Sequence, residues 1–134
     1  MKNANFHILV IEDERDLKNT LFDILNISGY QVSTTSDGQE GYRAILALQP
    51  DLVICDVNMP EMDGYEVLQA LNTRLKKEQI PAFLFLTAFV QFDDIKRGLE
   101  LGADEYITKP FDIKYLLKVV EERLKKREII LEDN

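Results

Sequence analysis

At 134 residues, with 46% hydrophobic and 30% charged side chains, the chain suits one soluble domain with a single well-buried core. A net charge of −8 and a pI near 4.7 argue against its clamping nucleic acid or an anionic membrane by itself. The lone cysteine, Cys55, cannot form an internal disulfide. No apolar run approaches the roughly 20 residues of a membrane span, and the first residues lack the apolar core of a signal peptide, so the expectation is a single domain in the cytoplasm.

Phe6 to Ile11 is a short apolar run that ends in Glu12-Asp13-Glu14, a buried strand running into acids. Leu17, Leu21, Ile24 and Leu25 recur at helical spacing, with Gly29 as a stop. Tyr30 to Thr35 is rich in β-branched residues and reads as a second strand. Ser36-Asp37-Gly38 caps a helix carried by Tyr42, Ile45, Leu46 and Leu48 and closed by Pro50. Leu52 to Cys55 is a third strand, delivering Asp56 to the turn Val57-Asn58-Met59-Pro60-Glu61-Met62-Asp63-Gly64. Val67, Leu68, Leu71 and Leu75 mark a third helix, with Lys76-Lys77 near its end where cations suit the macrodipole. Ala82 to Leu86 is a fourth strand ending at Thr87-Ala88. A weaker fourth helix follows on Ile95 and Leu99, with Gly98 and Gly102 lowering its propensity. Glu105 to Thr108 is a fifth strand ending at Lys109-Pro110, and Ile113, Leu116, Leu117, Val120 and Leu124 give an amphipathic fifth helix.

This fivefold alternation predicts an α/β fold, a doubly wound parallel sheet covered on both faces. All carboxyl ends of a parallel sheet lie on one edge, where open α/β sheets bind ligands. That edge would collect Glu12, Asp13, Asp56, Thr87 and Lys109 from distant parts of the chain. Two carboxylates about 4 Å apart at an effective dielectric near 20 repel by roughly 4 kcal/mol, and Lys109 can offset one charge rather than three. A hard divalent cation with oxygen ligands resolves the conflict, and Mg2+ is the expected one. With Mg2+ and Lys109 present the pocket attracts a phosphoryl group, Thr87 offers its oxygen a hydroxyl, and Asp56 serves as a covalent nucleophile.

The acid pair, Asp56 to Gly64, Thr87-Ala88 and Tyr106-Ile107-Thr108-Lys109-Pro110-Phe111 together resemble the receiver domain of bacterial two-component response regulators, over residues 6 to 126. The resemblance implies a flavodoxin-like five-stranded sheet of order 2-1-3-4-5 with five helices, an arrangement for which a receiver is a standard example. It implies Asp56 as phosphoacceptor, Asp13, Asp56 and the Asn58 backbone carbonyl as Mg2+ ligands, and Glu12 acting through a metal-bound water. It further implies that Thr87 and Lys109 bind phosphoryl oxygens, that Tyr106 moves inward with Thr87, and that the Lys109-Pro110 bond is cis. Glu12 departs mildly from the pattern, in which many members carry a second aspartate. The donor would be a histidine kinase or a histidine phosphotransfer protein. The chain would catalyse its own phosphorylation and slow autodephosphorylation without being an enzyme on other substrates.

Plainer readings exist for single residues. Asp13 could be only the cap of the first helix, Asp63-Gly64 only a turn and helix start, Thr87 a strand residue and Tyr106 a packing aromatic. His7 and Cys55 receive no chemical role. A haloacid dehalogenase-like phosphohydrolase also uses an aspartate nucleophile, but it needs an acid two residues later, where this chain has Asn58, which cannot ionise. A flavin mononucleotide module would place a phosphate loop after strand one, where Glu12-Asp13-Glu14 would repel phosphate. Residues 1–126 form the expected domain, and residues 127–134 a tail or the start of a linker, with no room for a DNA-binding domain. Its apolar Ile129-Ile130-Leu131 suits an interdomain helix, a dimer contact or a frayed end. Output would pass to a downstream protein, a fused domain, or a second copy in a phosphorylation-dependent homodimer, with no direct contact to nucleic acid or membrane.

Overall fold

The three most apolar runs become the centre of the sheet. Strands β1 (His7–Ile11), β3 (Leu52–Cys55) and β4 (Ala82–Thr87) are buried at almost every position, as strands covered on both faces must be. The more polar β2 (Gln31–Thr35) and β5 (Glu105–Thr108) take the edges, where one side needs no partner. The order is β2-β1-β3-β4-β5 and every pairing is parallel, the flavodoxin-like arrangement expected. The structure, a computed structural model, describes residues 2–88 and 91–132.

The pleat sorts alternate residues into two cores. Ile8, Val10, Ile54, Leu84 and Leu86 face one side and meet Leu21 and Leu25 of α1 (Arg15–Ile27) and Leu116, Val120 and Leu124 of α5 (Ile113–Glu132). Leu9, Ile11, Val53, Cys55, Phe83 and Phe85 face the other and meet Ile45 of α2 (Gly38–Leu48) and Val67, Leu68 and Leu71 of α3 (Gly64–Arg74). Fixing the two faces fixes the register, since a slip of one residue would exchange them.

Local signals set the helix ends. Gly29 adopts φ +99°, the left-handed stop after α1, and Tyr30 begins the return to β2. Asp37 caps α2 by accepting from the Glu40 amide. Asp63 and Glu66 form a reciprocal capping box on α3, which gives Asp63 the structural role expected of it. One plainer reading fails and one expectation is corrected. Asp13 does not cap α1, because the helix begins one residue later and its N-cap is Glu14, which makes no side-chain cap bond. Lys76-Lys77 lie just past the end of α3, near it as expected: Leu75 is its C-cap, Arg74 is the cation of its last turn, and Lys77–Gln79 form a separate 3-10 turn. Gly102 does not weaken the fourth helix, α4 (Phe92–Glu100), because with φ +103° it lies beyond the helix end.

Helix α4 is held thinly, for among the described residues it buries Gly98 alone. The fifth helix is longer than its apolar pattern indicated and stays helical through Glu132. Arg127 ties this extension back by donating from Nη1 to the Ile80 carbonyl at 2.6 Å. Ile129 is 58% exposed, while the side chains of Ile130 and Leu131 and residues 133–134 lie outside the described residues.

Gly64 matters through its lack of a side chain. A Cβ there would lie 2.6 Å from the Asp56 carbonyl oxygen and 3.0 Å from the Val57 Cα, and these backbone atoms cannot swing aside. The positive φ in this loop belongs instead to Glu61, at +68°. Gly64→Ala should destabilise the domain by about 1–3 kcal/mol, read as a lower urea midpoint, because it overpacks the floor of the Asp56 loop.

Candidate functional site

Strands β1, β3 and β5 each carry their chemistry one residue past the strand end, on a final ladder bond, while Thr87 is the last residue of β4. The Glu12 amide donates to Thr35, the Asp56 amide to Ile11 and the Lys109 amide to Thr87, at 2.8–3.1 Å. The sheet itself therefore aims these side chains, and the Gly64 amide, bonded to the Val57 carbonyl, ties the loop after Asp56 to α3. Among the described residues the buried polar or charged side chains are Glu12, Asp56 and Thr87, and all three lie at this one edge. Burying polar groups costs free energy unless they are paired, so their clustering marks a site rather than packing.

Lys109 Nζ stands between two acids, 3.2 Å from Glu12 Oε1 and 3.3 Å from Asp56 Oδ2. The opposite oxygens are also engaged: Glu12 Oε2 accepts from the Glu14 amide and Asp56 Oδ1 from the Asn58 amide. Asp13, exposed, completes the group from the solvent side, with carboxylate oxygens of Glu12, Asp13 and Asp56 within 4.8 Å of one another. Burial, more than any neighbour, and then Asp56 raise the Glu12 carboxyl, which settles at about 7 against the opposing pull of the Glu14 amide and Lys109. Burial alone would lower Lys109, but Asp56 and Glu12 outweigh it and its pKa rises. A cluster of three carboxylate oxygens, two of them buried, with one ammonium between them is a donor set that fits a hard cation.

Thr87, fully buried, accepts from Asn58 Nδ2 at 3.4 Å, a contact of the Asn58 side chain that sequence reasoning missed in assigning only its backbone. Tyr106 packs its ring 5.9 Å from that of Phe85 and shares a 3.0 Å hydrogen bond with the Tyr65 hydroxyl. Tyr65 was also missed; helical spacing marks it as core and says nothing of its hydroxyl. The Lys109-Pro110 bond is cis. His7 Nε2 lies 2.7 Å from Ser33 Oγ, a contact within the β1–β2 pair, and Cys55 is buried with its thiol donating to the Asp56 carbonyl. A cavity of about 680 Å³ lies elsewhere, at the amino edge around Leu75, Ile80, Leu101 and Arg127.

The profile of the response regulator receiver domain matches residues 8–121. This chain belongs to that family. As a receiver domain of two-component regulators it is a phosphorylation-dependent switch, and receiver domains generally bind Mg2+. It is 37% identical to the DNA-binding dual master transcriptional regulator RpaA of Synechocystis over 92% of this receiver and 51% of that protein. To the alkaline phosphatase synthesis transcriptional regulatory protein PhoP of Bacillus subtilis it is 39% identical, over 93% of this chain and 51% of PhoP. The chain thus spans about half the length of the curated relatives it matches. Among solved structures, the CheY-like receiver domain protein of Methanospirillum hungatei superimposes with a TM-score of 0.84 at 27% identity, covering 92% of this chain and 96% of that one. These matches lend no support to a haloacid dehalogenase-like hydrolase. Among the described residues no helix is long and apolar enough to cross a membrane.

The raised Glu12 carboxyl sets a pH dependence. Its folded pKa, about 7, exceeds the ordinary 4.5, so its contribution favours the folded state below 4.5 and is lost as pH rises towards 7. In divalent-free buffer the melting temperature should therefore carry a downward component across that window, and Glu12→Gln should remove it. Identical pH profiles for the two proteins would show that Glu12 is not held protonated.

Proposed function

We propose that Asp56 is the phosphoacceptor of this receiver. The observation that carries the reading is the gathering of the buried polar side chains, with Lys109 between two of them, at the carboxyl edge of the sheet. A histidine kinase or histidine phosphotransfer protein presents phosphohistidine there. An Asp56 carboxylate oxygen forms the new O–P bond as the N–P bond breaks, and the imidazole leaves with that electron pair. Lys109, already 3.3 Å from Asp56, moves its charge from carboxylate to phosphoryl oxygen, so the step rests on positioning and electrostatics.

Glu12, Asp13, Asp56 and the Asn58 backbone carbonyl would hold Mg2+, Glu12 through a water. Bound there, the ion neutralises charge on the phosphoryl oxygens. The Asn58 side chain cannot ionise, so the residue two places beyond the nucleophile supplies no acid or base for hydrolysis, and the acyl phosphate persists as a signal.

Thr87 then turns from Asn58 to a phosphoryl oxygen and Tyr106 follows. This resets the face formed by α4, β5 and α5, where Phe92, Leu99, Ile113 and Tyr115 are exposed. That face controls a downstream partner, a fused output domain or a second copy, and the chain's match to about half the length of transcriptional regulators, one of them named as DNA-binding, favours a fused output. The work is done in the cytoplasm, with the receiver itself touching neither nucleic acid nor membrane.

With Mg2+ and acetyl phosphate the protein should gain one acid-stable, alkali-labile phosphoryl group, seen by intact mass, and lose that capacity on chelation. Asp56→Asn should reduce labelling to background. Equal labelling of Asp56→Asn and parent would make the assignment wrong.

A further inference from the structure

Tyr65 lies in the first turn of α3, only 3% exposed, its ring meeting Phe85 edge-on at 5.1 Å. Phenylalanine would fill that space, so packing gives no reason for a hydroxyl. Yet the hydroxyl has two partners, the Asp94 carbonyl oxygen at 2.8 Å and the Tyr106 hydroxyl at 3.0 Å. A phenol has one proton, and a carbonyl can only accept. The Tyr65 proton therefore goes to Asp94, and the Tyr106 proton must go to Tyr65. The bonds run in one direction, from β5 through α3 to the first turn of α4. Burial, the largest cause for both phenols, raises their pKa values, so both stay protonated and the chain of bonds does not break by ionisation.

Two further contacts converge on the same ring system. The Arg97 guanidinium lies 4.6 Å over the Tyr65 ring, near enough for a cation–π attraction. Gly98 brings the α4 backbone down onto the neighbouring rings, where a Cβ would lie 3.1 Å from Phe85 and 3.2 Å from Tyr106. Because α4 buries no other residue, its seat depends on these contacts more than a well-packed helix would.

We infer that Tyr65 is a positioning residue of the switch, the point at which the seat of Tyr106 against Phe85 and the first turn of α4 are held together, so that moving either one loosens the other. The inference rests on the reading of Tyr106 as the residue that moves with Thr87, and it adds the α3 hydroxyl through which that movement reaches α4.

Tyr65→Phe keeps the ring and removes both hydrogen bonds. Using ring-labelled tyrosine and no phosphodonor, the Tyr106 signals should shift or broaden in this variant. Amide exchange in the first turns of α4 should accelerate by about fivefold or more, the scale of one lost hydrogen bond, while α1 and α2 keep their protection. Combining Tyr65→Phe with Tyr106→Phe should add little at α4 beyond Tyr65→Phe alone, since both cut one chain of bonds. An unmoved Tyr106 signal with unchanged α4 exchange, or a uniform loss of protection in all helices, would overturn the coupling and leave Tyr65 a packing residue. Should Tyr65→Phe fail to fold, Tyr106→Phe is the second variant: the Tyr65 signals and α4 exchange must then change together, and independence would overturn the proposal. Acyl-phosphate formation on the parent is scored separately. Its failure would remove the reading of the site, whereas normal labelling with uncoupled tyrosines would remove only this inference.

Discussion

Negative charge crowded at the carboxyl edge of a buried sheet is the constraint from which the rest of the structure follows. Three carboxylates and one ammonium leave a formal charge of −2 if all are ionised. Two of those carboxylates are shut away from water, where desolvation of an ion costs several kcal/mol. The fold meets this partly with Lys109, partly with the Glu14 and Asn58 amides, and partly by letting Glu12 hold its proton up to about pH 7. A cation entering past the exposed Asp13 can take the place of that proton. The same excess of carboxylate that destabilises the resting site would, on the proposed reading, give it affinity for a metal and, with the metal, for a phosphoryl group. Such a balance suits a site built for function at some expense of stability.

Stability is distributed to match. Helices α1 and α5 seal one face of the sheet with long apolar stripes, and α2 and α3 cover most of the other. The remaining corner carries α4, which meets the sheet through a glycine and a few aromatic edges. An element with so little buried surface opens at a lower free-energy cost than its neighbours. Its Gly98 backbone lies against the Tyr106 ring. On the proposed reading, this movable element would stand at the end of a path that begins at Asp56 and Thr87, and the better-packed half of the molecule would keep the acids in register while α4 shifts.

Legibility in the sequence followed the physics of each signal. The strands were plain because burial on both faces demands unbroken apolar runs such as Leu52 to Cys55 and Ala82 to Leu86. Parallel pairing then placed Glu12, Asp13, Asp56, Thr87 and Lys109 on one edge before any contact was known. Helix ends were read less well. The plainer reading of Asp13 as a cap fails because the helix starts one residue later, while Gly102 looked like a weak point inside α4 but follows it. Gly64 read as a turn and helix start, and the structure adds that its missing side chain is what lets α3 approach the Asp56 backbone. The contacts of Tyr65 and of the Asn58 side chain were invisible, because hydrogen bonds between residues 29 or 41 positions apart leave no periodic trace in a chain.

The dependence of the site on a divalent ion is most directly tested by calorimetric titration of Mg2+ into the purified chain and into Asp13→Asn. One ion should bind per chain, more weakly as pH falls through about 7 and Glu12 takes up its proton. Asp13→Asn should weaken binding by at least the roughly tenfold that losing even an outer partner costs a metal site. Binding that is absent, or that is indifferent to Asp13, would contradict the assignment of this acid cluster as the metal site.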